Sequence, residues 1–151
     1  MMDIVLVHPE IPHNTGAIGR LCVGLGWPLI LIRPLGFTLS EKMIRRAGLD
    51  YWSHLDLFLF DTFEDYLAAR KPAHLVFLST HATRSLYDTP LEPGGALVFG
   101  CESSGLPQDF YARYAANLAL IPMPGPFARS INLANAVSIA AYEAFRRTSA
   151  S

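Results

Sequence analysis

Six short runs of aliphatic and β-branched residues, separated by segments with helical spacing, constrain the fold of this chain more than any other feature. The runs are residues 3–7, 29–33, 55–60, 75–80, 96–100 and 118–121. Near-continuous apolar strands that alternate with helices are typical of a parallel sheet covered on both faces. The sequence therefore predicts an α/β fold with a mostly parallel sheet flanked by helices.

Three of the intervening segments carry helical signals. The apolar face of the first is formed by Ala17, Ile18, Leu21, Cys22 and Leu25. Gly26 follows it as a stop signal. Residues 61–64 (DTFE) have the spacing of a capping box and predict the start of a second helix. A third helix is predicted with Ser130 or Asn132 as its N-cap and an end near Arg147.

The third predicted helix has two distinct faces. Its apolar face is formed by Leu133, Val137, Ala140, Ala141 and Ala144. Its polar face is formed by Asn132, Asn135, Ser138, Tyr142 and Arg146. Ile139 interrupts the polar face. Because this face carries amides and a tyrosine but few charges, it favours a subunit interface or an RNA-facing surface, with ordinary solvent exposure as the alternative.

Length and charge limit the protein class. The chain has 151 residues, of which 51% are hydrophobic, which is enough for one core and predicts a single domain spanning residues 1–151. The formal net charge of −1 excludes a protein that coats nucleic acid through bulk electrostatic attraction. A local basic patch is compatible with this charge, and the cluster that offers one is Lys42, Arg45 and Arg46.

The cysteines and the first residues indicate a reducing compartment. Cys22 and Cys101 lack the paired spacing of a zinc site or a redox motif. The opening MMDIVLV has neither a charged leader region nor a long apolar stretch, and it predicts a first strand instead of a signal sequence. We therefore expect a cytoplasmic protein.

Four segments follow predicted strands, at the sheet edge where an open α/β fold binds its ligands. They are residues 8–16, 79–81, 100–107 and 122–130. None contains a G-x-G-x-x-G fingerprint or a Walker loop, which disfavours a standard dinucleotide or nucleoside-triphosphate site. The last segment (PMPGPFARS) has three prolines and a glycine, so its backbone polar groups need partners outside regular secondary structure. A polar ligand bound at a composite site would be one such partner.

Each segment also has a simpler interpretation. Residues 14–16 (NTG) favour a turn and helix N-cap, while Arg20 and the 42–46 cluster favour solvated helix positions. Residues 8–10 (HPE) are similar to the H-x-E of zinc deaminases, but the P-C-x-x-C partner is absent, which disfavours a metal site. Cys101 lacks the nucleophile-elbow pattern, so a buried thiol is favoured over a catalytic one.

Three motifs, taken together and in order, resemble those of the SPOUT class of RNA 2′-O-methyltransferases. They are residues 14–20 (NTGAIGR), 99–107 (FGCESSGLP) and 129–137 (RSINLANAV). Residues 4–16 and 45–51 (RRAGLDY) are further similar to the small TrmL (YibK-like) tRNA (cytidine(34)-2′-O)-methyltransferases. This resemblance covers essentially the whole chain. It implies a single-domain SPOUT (α/β-knot) fold with a C-terminal trefoil knot, S-adenosylmethionine as methyl donor, a homodimer and a tRNA substrate, with no metal and no DNA or membrane partner.

The resemblance also assigns site residues. It implies that Arg20 contacts the 2′-hydroxyl or an adjacent phosphate and stabilises the developing alkoxide, while Asn14 positions ribose or phosphate. A guanidinium is almost never deprotonated, so the proton acceptor is left open. The implied cofactor-binding residues are Leu78, Ser79, Thr80, Gly100, Glu102, Gly105, Ile121, Met123, Ser130, Asn132 and Leu133. The implied substrate-binding residues are Thr15, Lys42, Arg45, Arg46, Arg129 and Tyr142.

The chain departs from the family pattern at several positions. Cys101 stands where proline is usual, Ser104 where arginine or another polar residue is common, and Ala134 where serine is frequent. The 124–128 loop is one residue longer than in close relatives and carries Phe127. Because the family holds its cofactor largely through backbone groups, we expect the donor site to be retained and the departures to affect substrate recognition.

Three other functions are compatible with parts of the sequence. A 2′-O-methyltransferase for another tRNA position or for rRNA shares the motifs, although the absence of an appended RNA-binding domain favours the small tRNA type. A non-catalytic RNA-binding member of the fold is disfavoured by Asn14, Arg20 and the R-S-x-N motif at 129–132. A cysteine-dependent hydrolase built on Cys101 is the third alternative.

Overall fold

A parallel sheet forms the centre of the structure, a computed structural model that describes residues 1–40 and 50–149. The strands in these residues are β1 (Asp3–Val7), β2 (Leu29–Ile32), β3 (Leu57–Phe60), β4 (Leu75–Leu78), β5 (Ala96–Phe99) and β6 (Leu118–Ala119). They lie in the order β3-β2-β1-β5-β4-β6, and every neighbouring pair is parallel. The predicted parallel α/β fold is confirmed, and each strand falls within one of the predicted apolar runs.

The apolar runs arise because the central strands are buried on both faces. Along β1, Ile4 and Leu6 belong to one core cluster, while Val5 and Val7 belong to the other. Successive side chains of a strand point to opposite faces of the sheet, so a strand covered on both sides needs apolar residues throughout. The first cluster is mostly aliphatic, and the second contains the aromatic residues Phe63, Tyr66, Phe77 and Phe110.

Helices cover the sheet. Those in the described residues are α1 (Pro12–Leu25), α2 (Phe63–Arg70), α3 (Phe110–Arg113) and α4 (Leu133–Thr148), with 3₁₀ turns at Asp50–His54, Leu86–Asp88 and Ala115–Asn117. Gly26 ends α1 in the left-handed conformation with φ 69°, as its predicted role as a stop signal requires. Within the described ranges, no helix is both long and apolar enough to cross a membrane.

The helix starts differ from two of the predictions. The interpretation of residues 14–16 as a turn and N-cap is wrong, because α1 already begins at Pro12 and those residues lie inside it. Proline is well placed at the first helical position, where no intrahelical N–H bond is lost. At α2 the capping residue is Thr62 and not Asp61, since the Thr62 hydroxyl accepts from the Asp65 N–H at 3.0 Å.

The two faces predicted for α4 are confirmed. Val137, Ala140, Ala141 and Ala144 are fully buried, while most residues of the polar face are exposed. The helix packs against α1 and also contacts β5. Three alanines on the buried face permit this close approach. Asn132, one of the two predicted caps, is the N-cap, and its side chain accepts from the Asn135 N–H at 3.1 Å.

A polar cluster on β1 ties the sheet to α2. Asp3 is 8% exposed, and its carboxylate accepts hydrogen bonds from the Tyr66 hydroxyl at 2.9 Å and from Arg70 Nε and Nη2 at 2.9 and 2.8 Å. Burial and the neighbouring Asp3 charge raise the pKa of Tyr66, so its hydroxyl remains a donor. The buried carboxylate is therefore paired and stabilises the docking of α2.

Asp3→Asn is expected to lower the free energy of unfolding by about 2 kcal/mol, because it weakens charged hydrogen bonds in a buried setting. Urea denaturation measures this change. The matched control is Asp61→Asn, which breaks the ion pair with Arg33 between side chains that are 79% and 48% exposed. In this control the free energy of unfolding should fall by less than about 1 kcal/mol. Equal losses in both variants would contradict the role given to Asp3.

Candidate active site

A cavity of about 610 Å³ lies at the carboxyl ends of β4, β5 and β6 and reaches the start of α4. It is the place where a parallel α/β sheet is expected to bind a ligand. All of the residues expected to bind the cofactor line it, namely Leu78, Ser79, Thr80, Gly100, Glu102, Gly105, Ile121, Met123, Ser130, Asn132 and Leu133. Asn14 and Arg129 also line it. Segments that are far apart in sequence thus meet at one site.

A tight loop after β5 forms one wall of the cavity. The N–H of Cys101 donates to the Gly105 carbonyl and the N–H of Gly105 donates to the Cys101 carbonyl, both at 3.0 Å. Gly105 has φ +75°, a conformation that favours glycine. At Gly100 an added Cβ would overlap the Gly105 backbone. These two glycines let the loop fold back on itself and bring its backbone to the cavity.

Glu102, at the tip of this loop, binds the start of α1. Its Oε1 accepts from the N–H of Glu10 at 2.9 Å, and its Oε2 accepts from the N–H of Ile11 at 2.7 Å. Ile11 is the N-cap of α1 and has no capping side chain of its own. A carboxylate at a helix N-terminus satisfies free N–H groups and interacts favourably with the helix dipole. Both oxygens are therefore engaged within the protein, and cofactor binding by Glu102 stays a prediction.

Glu10, in the loop after β1, accepts hydrogen bonds from the same loop after β5. Its Oε1 accepts from the N–H of Ser103 at 3.0 Å and from the Ser103 hydroxyl at 2.6 Å. These hydrogen bonds, chiefly the one from the hydroxyl, lower the pKa of the Glu10 carboxyl. The loops after β1 and β5 are thus joined by two carboxylates, each accepting from the other loop.

The Glu10–Ser103 and Glu102–Ile11 contacts form a junction between the loops after β1 and β5. Asn14 connects this junction to α4. Its Nδ2 donates to Glu102 Oε2 at 3.3 Å, and its Oδ1 accepts from Asn132 Nδ2 at 3.0 Å. Asn14 is only 6% exposed. Since the side-chain Oδ1 of Asn132 caps α4, the hydrogen bonds that link Glu102, Asn14 and Asn132 fix both helices relative to the cavity. The geometry gives Asn14 a positioning role at the cavity wall, while its contact with a substrate stays a prediction.

Tyr111 is a cavity residue that the sequence reasoning missed, and His81 is a cavity residue of the predicted 79–81 segment that was given no role there. The Tyr111 hydroxyl lies 3.4 Å from Ser79 Oγ, and the His81 ring packs edge-on against the Tyr111 ring with centroids 5.7 Å apart. Tyr111 lies on α3, which has four residues and no recognisable periodicity. His81 directly follows the predicted Ser79 and Thr80, so its position after β4 was the available signal.

Arg20 does not line the cavity formed by its own chain. It lies on α1 six residues after Asn14, which places it roughly 120° around the helix. Its guanidinium carbon is 5.7 Å from the centroid of the Tyr51 ring, and the Tyr51 hydroxyl donates to the Gly16 carbonyl at 2.6 Å. Burial raises the pKa of Tyr51, which keeps this donor protonated. Arg20 is exposed and forms no ion pair with any described residue.

The other residues expected to contact the substrate, apart from Arg129, lie outside the cavity or outside the described residues. Thr15 is 1% exposed and its Oγ1 has no hydrogen-bond partner among the described residues, so its position does not support the expected substrate contact. Tyr142 is 49% exposed and lies outside the cavity. Lys42, Arg45 and Arg46 lie outside the described residues. Over residues 1–40 and 50–149, no group of three or more potential metal ligands occurs.

Cys101 and Cys22 have different environments. Cys101 is half-buried in the cavity wall instead of fully buried as expected, and its Sγ lies 3.0 Å from Ser104 Oγ. In the described chain no histidine is hydrogen-bonded to it, and the carboxylate beside it, that of Glu10, has a lowered pKa and is therefore a weak base for the thiol. Burial raises the pKa of Cys22 to about 12, which makes that thiol unreactive. The geometry gives no support to a cysteine hydrolase.

Comparison with known proteins identifies the family. A sequence model of the SpoU rRNA Methylase family matches residues 1–142. The chain belongs to this family. Membership agrees with the three motifs, since most residues of the second and third line the cavity and the first lies on α1 beside it.

Individual SpoU-family relatives are similar over almost all of the chain. A tRNA (cytidine(34)-2′-O)-methyltransferase of Acidovorax sp. (strain JS42) is 42% identical, with 99% of this chain and 93% of that protein covered. A solved structure from work on 2-OH methylation of C/U34 on tRNA is 51% identical, with a TM-score of 0.88 over 97% of this chain and 95% of that one. The SpoU methyltransferase AviRb of Streptomyces viridochromogenes, solved in complex with AdoMet, is 26% identical, with a TM-score of 0.80 over 97% of this chain and 57% of that one.

Ser103→Ala is expected to raise the pKa of Glu10 toward the value of about 4.3 of a free glutamate, because the hydroxyl is the main cause of the lowering. A carbon-detected NMR titration of the Glu10 carboxyl measures it. Since folding lowers this pKa, the Glu10 contact favours the folded state at neutral pH and loses its contribution as the pH falls through the folded pKa. Ser53→Ala, on a different segment, should leave Glu10 unchanged. An unchanged Glu10 pKa in Ser103→Ala would contradict the hydrogen bond from the Ser103 hydroxyl to Glu10.

Proposed function

We propose that this SpoU-family protein transfers a methyl group from S-adenosylmethionine to the ribose 2′-hydroxyl of the wobble nucleotide of tRNA, position 34, a cytidine or modified uridine. The observation that carries the proposal is the convergence of all expected cofactor residues on one cavity that also reaches Asn14 and Arg129. The names of the similar proteins support the position and the RNA class.

The cavity fits S-adenosylmethionine. Its volume of about 610 Å³ lies in the range of small-molecule sites, about 300–1,000 Å³. The main-chain N–H and C=O groups of Ile121 and Met123 make no hydrogen bond with the described residues, so they are available to a purine edge. Because Gly100 and Gly105 have no side chains, the cavity wall formed by the loop after β5 leaves space for the ligand. When bound, the cofactor supplies an electrophilic methyl group on a sulfonium.

The protein's own residues hold the nucleophile. A ribose hydroxyl is a weak nucleophile, so transfer depends on aligning its oxygen with the methyl group and on stabilising the negative charge that develops there. Asn14 is fixed by Glu102 and Asn132 and supplies orientation. Arg20 supplies the positive charge, and its guanidinium acts through electrostatics and hydrogen bonding and not as a base.

A homodimer accounts for the distance between Arg20 and the cavity of its own chain. Ile139, Tyr142 and Phe145 of α4 expose 37%, 49% and 41% of their surface beside the polar strip that begins at Asn132. A face with aromatic and amide groups but few charges suits a subunit interface. In such a dimer, Arg20 of one subunit completes the site of the other. The trefoil knot of the C-terminal third belongs to the same proposal and is compatible with the observed strand order.

The decisive experiment incubates the full-length protein with S-adenosylmethionine and tRNA from cells that lack this protein, and maps 2′-O-methyl groups by mass spectrometry. We expect one methyl group at position 34, formed equally with and without a chelator. Methylation at another RNA position would favour the related 2′-O-methyltransferase. Cofactor binding in calorimetry without any transfer would favour the non-catalytic RNA-binding alternative.

Arg20→Ala is expected to reduce the methylation rate about a hundredfold or more, because it removes charge that acts mainly on the developing alkoxide. Cofactor affinity, measured by calorimetry, should stay nearly unchanged. Arg33→Ala is the matched control, since Arg33 is an exposed arginine paired with Asp61. Near-normal turnover in Arg20→Ala would remove this residue from the mechanism.

Mixing subunits tests whether Arg20 acts across the dimer. Met123→Arg places a long cationic side chain in the cavity and should abolish cofactor binding. Co-expression of this variant with Arg20→Ala should restore about a quarter of the activity, since half of randomly formed dimers are mixed and each has one complete site. Two inactive homodimers and an inactive mixture, each with a two-chain mass in sedimentation, would show that Arg20 acts within its own chain.

A further inference from the structure

The loop between Met123 and Arg129 holds one aromatic ring in solvent. The N–H of Ala128 donates to the Gly125 carbonyl at 3.1 Å, which closes a turn with Pro126 and Phe127 at its centre. Proline restricts the backbone of such a turn, so the loop has a defined shape. Phe127 is 93% exposed, more than any other large apolar residue described, and no ring contact to it occurs within the described chain.

The surroundings of Phe127 distinguish it from an ordinary surface residue. Single exposed apolar side chains are common and need no explanation by themselves. Met123 on one side of the turn and Arg129 on the other both line the cavity. Arg129 is exposed and forms no ion pair with a described residue. An unpaired cation and an unpartnered aromatic ring therefore lie two residues apart at the border of the proposed active site.

An exposed cation beside an exposed aromatic ring is typical of surfaces that bind single-stranded nucleic acid. Proteins hold unpaired RNA by pairing cations with phosphates and by stacking bases on aromatic rings. The nucleotide proposed as substrate must have its ribose at the cavity, so its neighbours in the RNA pass over the border of the cavity. Burial of Phe127 in a dimer interface is the weaker explanation, because α4 offers a separate apolar and amide surface for a second copy of this chain.

We infer that Phe127 is a specificity residue that stacks on an unpaired nucleobase next to the methylated nucleotide. The inference rests on the proposed function and extends it to the recognition of the neighbouring base. Arg129 holds the phosphate of the same segment. A contact of this kind gives the protein a preference among tRNA anticodon loops, because stacking strength differs between bases.

Steady-state kinetics of Phe127→Ala and Phe127→Leu test the stacking. Both should raise the KM for tRNA by about 5- to 150-fold, the effect of losing one stacked base, with kcat and the KM for S-adenosylmethionine changed less than about twofold. Phe127→Trp should restore the KM for tRNA, because it keeps an aromatic face. Tyr87→Ala is the matched control, an exposed aromatic residue outside the cavity, and should leave every constant unchanged.

Substrates with one abasic neighbour identify the stacked base. Removing the base on which Phe127 stacks should raise the KM of the wild-type enzyme as much as Phe127→Ala does, and should have no further effect on that variant. Wild-type kinetics in Phe127→Leu, additive effects in every combination, or a shift from dimer to monomer in Phe127→Ala would each overturn the stacking role. A wild-type protein that methylates no tRNA would instead refute the proposed function, and this inference with it.

Discussion

The Glu102 carboxylate at the start of α1 is the interaction on which the rest of the site depends. It gives α1 the N-terminal acceptors that Ile11 cannot supply, and it does so from a loop that closes the cavity wall. Helix N-termini leave several N–H groups unsatisfied, so the carboxylate has a strong preference for this position. The same carboxylate orients Asn14, which in turn orients Asn132 and the first turn of α4.

The location of the site could be predicted from sequence because the sheet pattern determines it. Near-continuous apolar runs indicate parallel strands, and the loops after parallel strands meet at one edge. The resemblance to a known family then selected residues within those loops, and every expected cofactor residue lies in the cavity. The buried face of α4 followed from helical periodicity, since Val137, Ala140, Ala141 and Ala144 recur on one side.

Other features depend on contacts that local sequence does not contain. The start of α1 at Pro12 was missed because its capping carboxylate comes from Glu102, 91 residues from Ile11. Tyr111 reaches the cavity from a four-residue helix with no periodic signal. Asn14 and Arg20, both expected in catalysis, project from different faces of α1 because a helix turns by about 100° per residue, so their joint action stays a prediction. Local motifs thus located loops and helices more reliably than the directions of individual side chains.

The Asn14–Asn132 hydrogen bond joins residues that are 118 positions apart in the chain. Closing so long a segment has an entropic cost, and the contact exists only when both ends of the chain have been brought together. The cavity consequently does not exist as a local structure that a partly folded chain can use. A chain emerging from the ribosome acquires its ligand site only when α4 docks, and a ligand bound there stabilises the completed fold as a whole against unfolding.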